Sequence, residues 1–420
     1  MTIPNGPPLN GLQLFDSLAG IPAQEWDALL PRSPAPPPCL RHAYLHALEE
    51  SACVGGDSGW FPRHATLWSE GQLVAAMPLY LKTHSWGEYV FDWAWAQAYQ
   101  RHGLDYYPKW LAAVPFTPIP GPRVLGNDPK TRRTLVAGVQ QLVEHSELSS
   151  LHILFPDERD LTLLGETDLF LREGVQFHWS NAREDGSPYA DFEDFLAGLN
   201  HDKRKKIRQE RRRAAAHNLS LLWVDGHTAT NADWRFLYEC YAGTYTQHNS
   251  TPYLNLDFFR RVARKLPDSV SLLIAKRDGV AVACALFLRS AEALYGRYWG
   301  SVEPVPFLHF ELCYYQAIEY CIRHRLQHFE GGAQGEHKLA RGLMPVRTHS
   351  AHWIADPRFR SAVDDFLQRE RSHIGFYLDE LSERAPYRTL DAQLPNSDPA
   401  DVRQQRGNQA NAALINGRQR

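Results

Sequence analysis

The chain carries almost no net charge. Lys and Arg number 45 and Asp and Glu 48, leaving a formal −3 over 420 residues. No whole-molecule field draws such a chain to nucleic acid, and any anion site must be local. No apolar run approaches the roughly 18 residues needed to cross a bilayer, so no transmembrane helix is expected. Met1 to Asn10 has no basic segment followed by an apolar one. A secretory signal is therefore not expected, and a cytoplasmic location is. The six cysteines lack C-x-x-C spacing and lie mostly in apolar stretches, the pattern of reduced buried thiols and not of a disulfide framework. A G-x-S-x-G elbow and a P-loop are also missing. Glu336, His337, His349 and His352 could in principle converge on a metal, but 19 histidines make chance clusters common, and no metal is expected.

Hydrophobic residues make up 44% of the chain, aromatics 12% and charged residues 22%. That is a globular composition with enough apolar mass for two cores. A faint internal repeat organises it. In the first half, His64–Trp68, Gln72–Lys82 and Glu88–Trp93 read as three strands. In the second, Ser271–Lys276, Val280–Arg289 and Ala293–Gly300 do. The turns at Gly71 and Gly279 are each followed by Val-Ala at the same offset. Helices precede each meander. Helices and then a short apolar strand follow it, Leu151–Phe155 and His328–Glu330. The order predicts an α+β protein of two tandem units. Arg183 to Pro188 interrupts the pattern, so the expected domains are 1–181 and 182–388. The second is closed by a helix over Asp356–Arg384. The polar stretch 389–420 is expected to be disordered.

Three segments concentrate chemistry. From Lys203 to Arg213, eight of eleven residues are cations. On a helix, Arg204, Arg208 and Arg211 share a face. The functional reading is a phosphate-bearing ligand; the plain alternative is a solvated face paired with acids such as Glu210. The strand Tyr295-Gly296-Arg297-Tyr298-Trp299-Gly300 alternates Tyr295, Arg297 and Trp299 on one face with Tyr298 on the other. It leads to a helix beginning near Leu308-His309-Phe310-Glu311, whose N-terminus favours anions. The alternative is an aromatic core strand. Third, Glu330-Gly331-Gly332-Ala333-Gln334-Gly335 delivers Glu336, His337 and Lys338 in succession. Glycines let a backbone approach a ligand closely. Glu336 or His337 can serve as a general base, and Lys338 can stabilise an oxyanion or hold a phosphate. The alternative is a polar loop. The catalytic reading requires this loop and the cationic helix to open onto one cleft.

Several longer motifs resemble a bacterial family. These are the Tyr295–Gly300 strand, Leu308 to Tyr315, and Gly332-Ala333-Gln334-Gly335-Glu336-His337-Lys338 through Arg341-Gly342. In the first half they are Phe91 to Ala96, Tyr106-Tyr107-Pro108-Lys109, Pro115 to Pro118 through Arg123, and Gly174 to Trp179. Over roughly residues 12–385 the chain is similar to FemAB-like peptidoglycan biosynthesis/recognition proteins of the GNAT acyltransferase superfamily. The resemblance implies tandem GNAT-like domains, each a mixed sheet with an antiparallel meander flanked by helices. It implies an N-acyltransferase that moves an acyl or aminoacyl group to an amine, with acyl-CoA or aminoacyl-tRNA as donor substrate and no tightly bound cofactor. The acceptor would be a peptidoglycan-type precursor, at a membrane surface in some settings. Arg204, Arg208, Arg211, Arg297, Tyr298, Trp299, His309, Glu311, Tyr315, Gln334 and Arg341 are the expected substrate-binding residues around Glu336, His337 and Lys338. Gly300 to His309 lacks the G-x-G turn that holds acetyl-CoA pyrophosphate and carries Glu303 instead. Two other functions fit the same residues: a non-catalytic module recognising an anionic peptide or phosphate ligand, and an RNA-binding protein using the cationic helix.

Overall fold

The computed structural model describes residues 10–32, 34–333 and 335–388. The expected disordered segment 389–420 lies outside the described residues. In the first half the strands are β1 (Gly11–Phe15), β2 (Trp60–Pro62), β3 (His64–Ser69), β4 (Gln72–Met77), β5 (Leu79–Lys82), β6 (Lys109–Ala112), β7 (Ser150–Leu154) and β8 (Phe170–Ser180). In the second they are β9 (Ser220–Asp225), β10 (Val270–Arg277), β11 (Val280–Arg289), β12 (Ala293–Ser301), β13 (His328–Glu330) and β14 (Met344–Ile354). The expected second strand, Gln72–Lys82, is broken at Pro78, which has no N–H to donate. Its two pieces lie in different sheets, β1-β3-β4 and an 11-stranded sheet. Glu88–Trp93, expected as a strand, is a loop. The next residues form the helix Trp93–Arg101, and β6 supplies the third strand.

The 11-stranded sheet runs β2-β5-β6-β7-β14-β8-β13-β12-β11-β10-β9. It carries a pseudo-two-fold pattern. Each half has one parallel contact, β6 with β7 and β12 with β13. Each half then sends its last strand across: β8 pairs with β13, and β14 pairs with β7. The two exchanged strands pair with each other from Phe170–His352 to His178–Met344. β14 belongs to the second half in sequence and sits beside the first in space. The helix Pro357–Glu383 follows it and packs Phe359, Val363 and Leu367 on Trp95 and Tyr99. Neither exchanged strand was read from the sequence.

One apolar core also spans the halves, with Tyr44 edge-on to Phe258 at 5.3 Å between ring centroids. The first-half motif residues form a buried polar network instead. Lys109 donates to Asp92, to Glu88 at 2.9 Å and to Ser85 at 2.9 Å. Tyr106 donates to Asp92 at 2.6 Å and meets His152 at 3.0 Å, and His152 meets His352 at 2.6 Å. Burial first, and then Lys109, pushes His152 down to about 3. Burial raises Glu88 to about 7 despite Lys109.

Candidate active site

β12 and β13 run side by side for three residues, Ala293–Tyr295 against His328–Glu330. β13 then stops, while β12 continues to Ser301, so the strands part. On its other side β12 stays paired with β11, but Leu286 faces Tyr298 and Phe287 faces Gly296, leaving Arg297 as an extra, bulged residue. A bulge re-aims side chains, and this one overturns the alternation read from the sequence. Arg297 donates to the Tyr298 hydroxyl at 3.2 Å, and both donate to the Phe116 carbonyl, at 2.6 and 3.4 Å. Trp299, expected beside Arg297, lies instead on His309 at 5.1 Å. At Gly300 a Cβ would come within 2.1 Å of the Cys240 carbonyl oxygen, so only glycine lets the helix Asn231–Gln247 sit this close.

From Glu330 the chain turns through Gly331 and Gly332 into a 3-10 helix, Glu336–Arg341. At Gly331 a Cβ would meet Leu343 at 2.8 Å. His337 Nε2 lies 2.9 Å from the Tyr314 hydroxyl, and its ring sits among His309 and Phe310 at 6.3 and 6.0 Å. Tyr314 reaches it from a π-helical turn, Glu311–Tyr315, a distortion common at functional sites. Burial, then the charges of Arg341 and Lys338, holds His337 below its usual range. Burial brings His309 down to about 4. Lys338 is 2% exposed and donates to the Gly332 carbonyl at 2.7 Å; burial lowers it to about 8. Glu336 and His337 are both exposed, unlike Lys338; Glu336 pairs with Arg384 at 3.3 Å and accepts from Tyr377 at 2.9 Å. Gln334 lies outside the described residues.

The cationic segment is a helix, His201–Ala215, capped by Asn200, whose side chain accepts from the Lys203 amide. A separate helix, Phe192–Gly198, precedes it. Ile207, Glu210 and Ala214 are its buried residues. Glu210, the acid within the cationic run, accepts from Arg341 at 2.8 and 3.0 Å and from Tyr315. Arg341 also donates to the His337 carbonyl at 2.6 Å and stacks over Phe310 at 3.5 Å. Arg211 pairs with Glu311 at 3.0 Å and Glu319 at 2.9 Å, and Arg208 pairs with Glu193. Breaking a buried pair such as Arg341–Glu210 costs about 3–5 kcal/mol. The loop and the helix therefore meet through the buried Glu210–Arg341 pair, and not at the shared cleft that the sequence reading required: none of Glu336, His337 and Lys338 lines the hollow that the helix cations face. Arg204, Arg208 and Arg211 line a different hollow, about 690 Å³, against Phe192 and Leu196. Among the described residues no acid pairs with Lys203, Arg204, Lys205, Lys206 or Arg212 within 4.0 Å.

Three residues outside the expected set belong here. Glu210 looked like ordinary charge balance in a basic run. Glu330 ends β13, and His178 lies 3.9 Å away, its imidazole held neutral by burial, which brings it down to about 3. His178 became visible only through β8. Among the described residues no three His, Cys, Asp or Glu side chains converge as metal ligands. No helix among them is long and apolar enough to cross a membrane.

A family model described as FemAB-like, peptidoglycan biosynthesis/recognition, matches residues 17–389. No curated protein matches the chain in sequence. The solved structure of FemX is similar at 10% identity, TM-score 0.51, over 82% of this chain and 98% of that one. The C-terminal domain of a putative lysylphosphatidylglycerol synthetase from Agrobacterium fabrum gives 10% identity and TM-score 0.48, over 84% and 97%. A tandem GNAT protein from the clavulanic acid biosynthesis pathway gives 12% identity and TM-score 0.41, over 82% and 98%. At 10% identity the likeness to FemX is one of fold.

Proposed function

Because the chain belongs to the FemAB-like family of peptidoglycan biosynthesis/recognition proteins, we propose that it is an N-acyltransferase working in the gap between β12 and β13. The observation that carries this reading is the parted strand pair with a bulge at Arg297. Beyond Tyr295 the β12 edge turned toward β13 has no strand partner among the described residues, which leaves backbone amides open to an acyl carbonyl. An acyl or aminoacyl group would lie along that edge, with its carbonyl near residues 298–300. An acceptor amine would attack it, the C–N bond would form, and the C–O or C–S bond to the carrier would break. Of the three residues first considered catalytic, His337 suits acid–base work best, since its lowered pKa leaves the imidazole neutral at pH 7. Lys338 lies beside it as a buried donor toward developing negative charge. Glu336, in solvent and paired with Arg384, is assigned to holding the loop to the Pro357–Glu383 helix.

The donor is proposed to be an aminoacyl ester in preference to acyl-CoA. Ser301 to Phe307 has no glycine turn for a pyrophosphate, and its one acid, Glu303, is held by Arg277 at 2.7 Å. The unpaired cations of the His201–Ala215 helix suit a polyphosphate carrier such as tRNA. The acceptor is proposed to be an amine of a peptidoglycan-type precursor. The test is incubation of the full chain with charged tRNA or acyl-CoA and with muropeptide amines, followed by mass spectrometry of the acceptor. An acceptor gaining one acyl mass, lost in His337→Ala but kept in Glu336→Gln, supports the reading. Binding of donor and acceptor with no mass shift under any pairing makes the protein a recognition module instead.

A further inference from the structure

The 11-stranded sheet ends at β2 on one side and at β9 on the other. Alternate residues of an edge strand turn their N–H and C=O away from the sheet, and those groups need partners. The two edges meet that demand differently. On β2 the residues Gly59 and Arg63 bond inward, accepting from the Thr83 amide at 3.2 Å and donating to the Leu79 carbonyl at 2.8 Å. Trp60 and Pro62 therefore turn outward. The Trp60 carbonyl accepts from the Gly55 amide at 2.7 Å, and its amide donates to Ser58 Oγ at 3.2 Å. Pro62 has no N–H, and its carbonyl accepts from the Arg63 side chain at 2.6 Å. That edge is closed by its own chain.

The β9 edge is not. β9 pairs with β10 from Ser220–Lys276 to Asp225–Ser271 without a register shift, and the Gly226 amide continues the ladder to the Val270 carbonyl at 3.1 Å. Counting back by twos from Gly226, Val224, Leu222 and Ser220 bond inward, so Asp225, Trp223 and Leu221 turn outward. Asp225 is satisfied by its own turn, through Thr228 Oγ1 at 3.1 Å and the Ala229 amide at 2.9 Å. Among the described residues nothing hydrogen-bonds to the amides or carbonyls of Trp223 and Leu221 on that side. The strand holds no Pro, Lys or Arg, the residues that commonly guard an edge. Instead Leu221, Leu222, Trp223 and Val224 follow one another, and Leu222 is 44% exposed.

This edge is complementary to itself. One register uses both open residues of both copies. A second β9, antiparallel about a two-fold axis at Leu222, sets Leu221 against the partner's Trp223 and Trp223 against the partner's Leu221. Each pair then exchanges both of its N–H···O bonds. Leu222 faces the partner's Leu222 in the close, non-hydrogen-bonded arrangement. The one charge, Asp225, meets the partner's Leu219 and no second acid. On the Tyr320 side of the sheet, the partner's Leu221 lies beside Trp223, which walls a cleft of about 940 Å³. We propose that this chain self-associates through β9, joining two sheets edge to edge into an isologous dimer. β9 is three strands from β12, so the dimer does not rest on the transferase reading. A contact of this size is weak and follows concentration.

Light scattering of the full chain over about a hundredfold range of concentration tests it. Wild type should pass from one copy to two as concentration rises. Leu222→Lys sets two ammonium groups face to face and should weaken the dimer at least about tenfold. Leu221→Pro deletes an outward N–H while leaving the β10 ladder whole, and should weaken it similarly. Both variants should melt as the dilute wild-type chain does. Leu222→Cys reads the register. Across a non-hydrogen-bonded pair the Cα atoms lie about 4.5 Å apart, within disulfide reach. Mild oxidation should therefore link two copies of Leu222→Cys. Wild type and Ser220→Cys, whose counterpart lies beyond that reach, should stay unlinked. A chain that stays single at every concentration overturns the proposal, whether its edge is left open or taken by another protein. So does a dimer unchanged in both folded variants, or one that Ser220→Cys links and Leu222→Cys does not.

Discussion

After Ala112, where β6 leaves β7, the chain stays buried from Ala113 through Ile119; after Tyr295, where β12 leaves β13, residues 296–299 are only half-buried. The first gap is filled by its own chain. Gly121 donates to the Phe155 carbonyl at 3.0 Å, and Gln176 to the Pro118 carbonyl at 2.8 Å. β5 and β6 pair without a register shift, whereas β12 bulges at Arg297. The ionisable groups follow the same division. In the first half the buried Lys109 meets two carboxylates. In the second, among the described residues, Lys338 meets only a carbonyl and Glu330 meets no donor. The repeat supplied two equivalent gaps. One was sealed to join the halves, and its charges became internal struts. The other kept open edges and uncompensated polar groups, the condition under which a site can do chemistry.

The widest separation between the halves is expected at their lysines. Lys109→Ala strands Asp92 and Glu88 in the interior and should cost about 3–5 kcal/mol of stability, enough to abolish soluble protein in many chains. Lys338→Ala removes one hydrogen bond and should cost about 1 kcal/mol. Urea denaturation of both variants measures the contrast, and comparable losses would erase it. Activity should run the other way. His337→Ala is expected to lower transfer about 100- to 10,000-fold in single-turnover assays, with its melting temperature close to wild type.

A finer comparison concerns pH. Glu330 has an ordinary value of 4.5, and burial raises it to about 8 in the folded chain. Between those values the folded state binds the extra proton, so wild-type stability contributed by this group is present at low pH and declines as pH rises through about 8. Glu330→Gln lacks the group, and its stability should fall less steeply across the same window. Melting temperatures of the pair from pH 4.5 to 8.5 provide the measurement; parallel curves would mean that Glu330 is not held protonated.

Much of this was legible in the sequence, and the gaps have physical causes. The β10-β11-β12 meander was readable because Asp278-Gly279 fixes its turn and its strands are long. The helix Leu256–Lys265 was readable because its apolar residues recur at helical spacing. The exchanged strands β8 and β14 were not, because each mixes polar and apolar residues and their pairing joins positions far apart in sequence. Glu88–Trp93 has strand composition, yet it closes over Lys109 through Glu88 and Asp92, a tertiary demand that local propensity cannot register. The Arg297 bulge is invisible to strict alternation. In the site, Glu336, His337 and Lys338 drew notice as a run of three. Glu330 needed the structure, since what marks it is that no side chain of the described residues hydrogen-bonds to it.

The smallest effect on the molecule itself is expected on the His201–Ala215 helix, and it tests whether its surface serves a ligand or only solvent. Replacing Lys205, Lys206 and Arg212 by Gln breaks no ion pair among the described residues, so stability should change by no more than about 0.5 kcal/mol per substitution. Arg341→Met on the neighbouring loop should cost far more, because it strands Glu210. If the helix holds a nucleic-acid carrier, the same three Gln substitutions should flatten the plot of log affinity for tRNA against log salt by about 0.7 to 0.9 for each lost phosphate contact. An unchanged slope, with stability also unchanged, would mean that these cations are only a solvated face. The donor would then have to be held by the β12 edge and the hollow beside Phe192 alone.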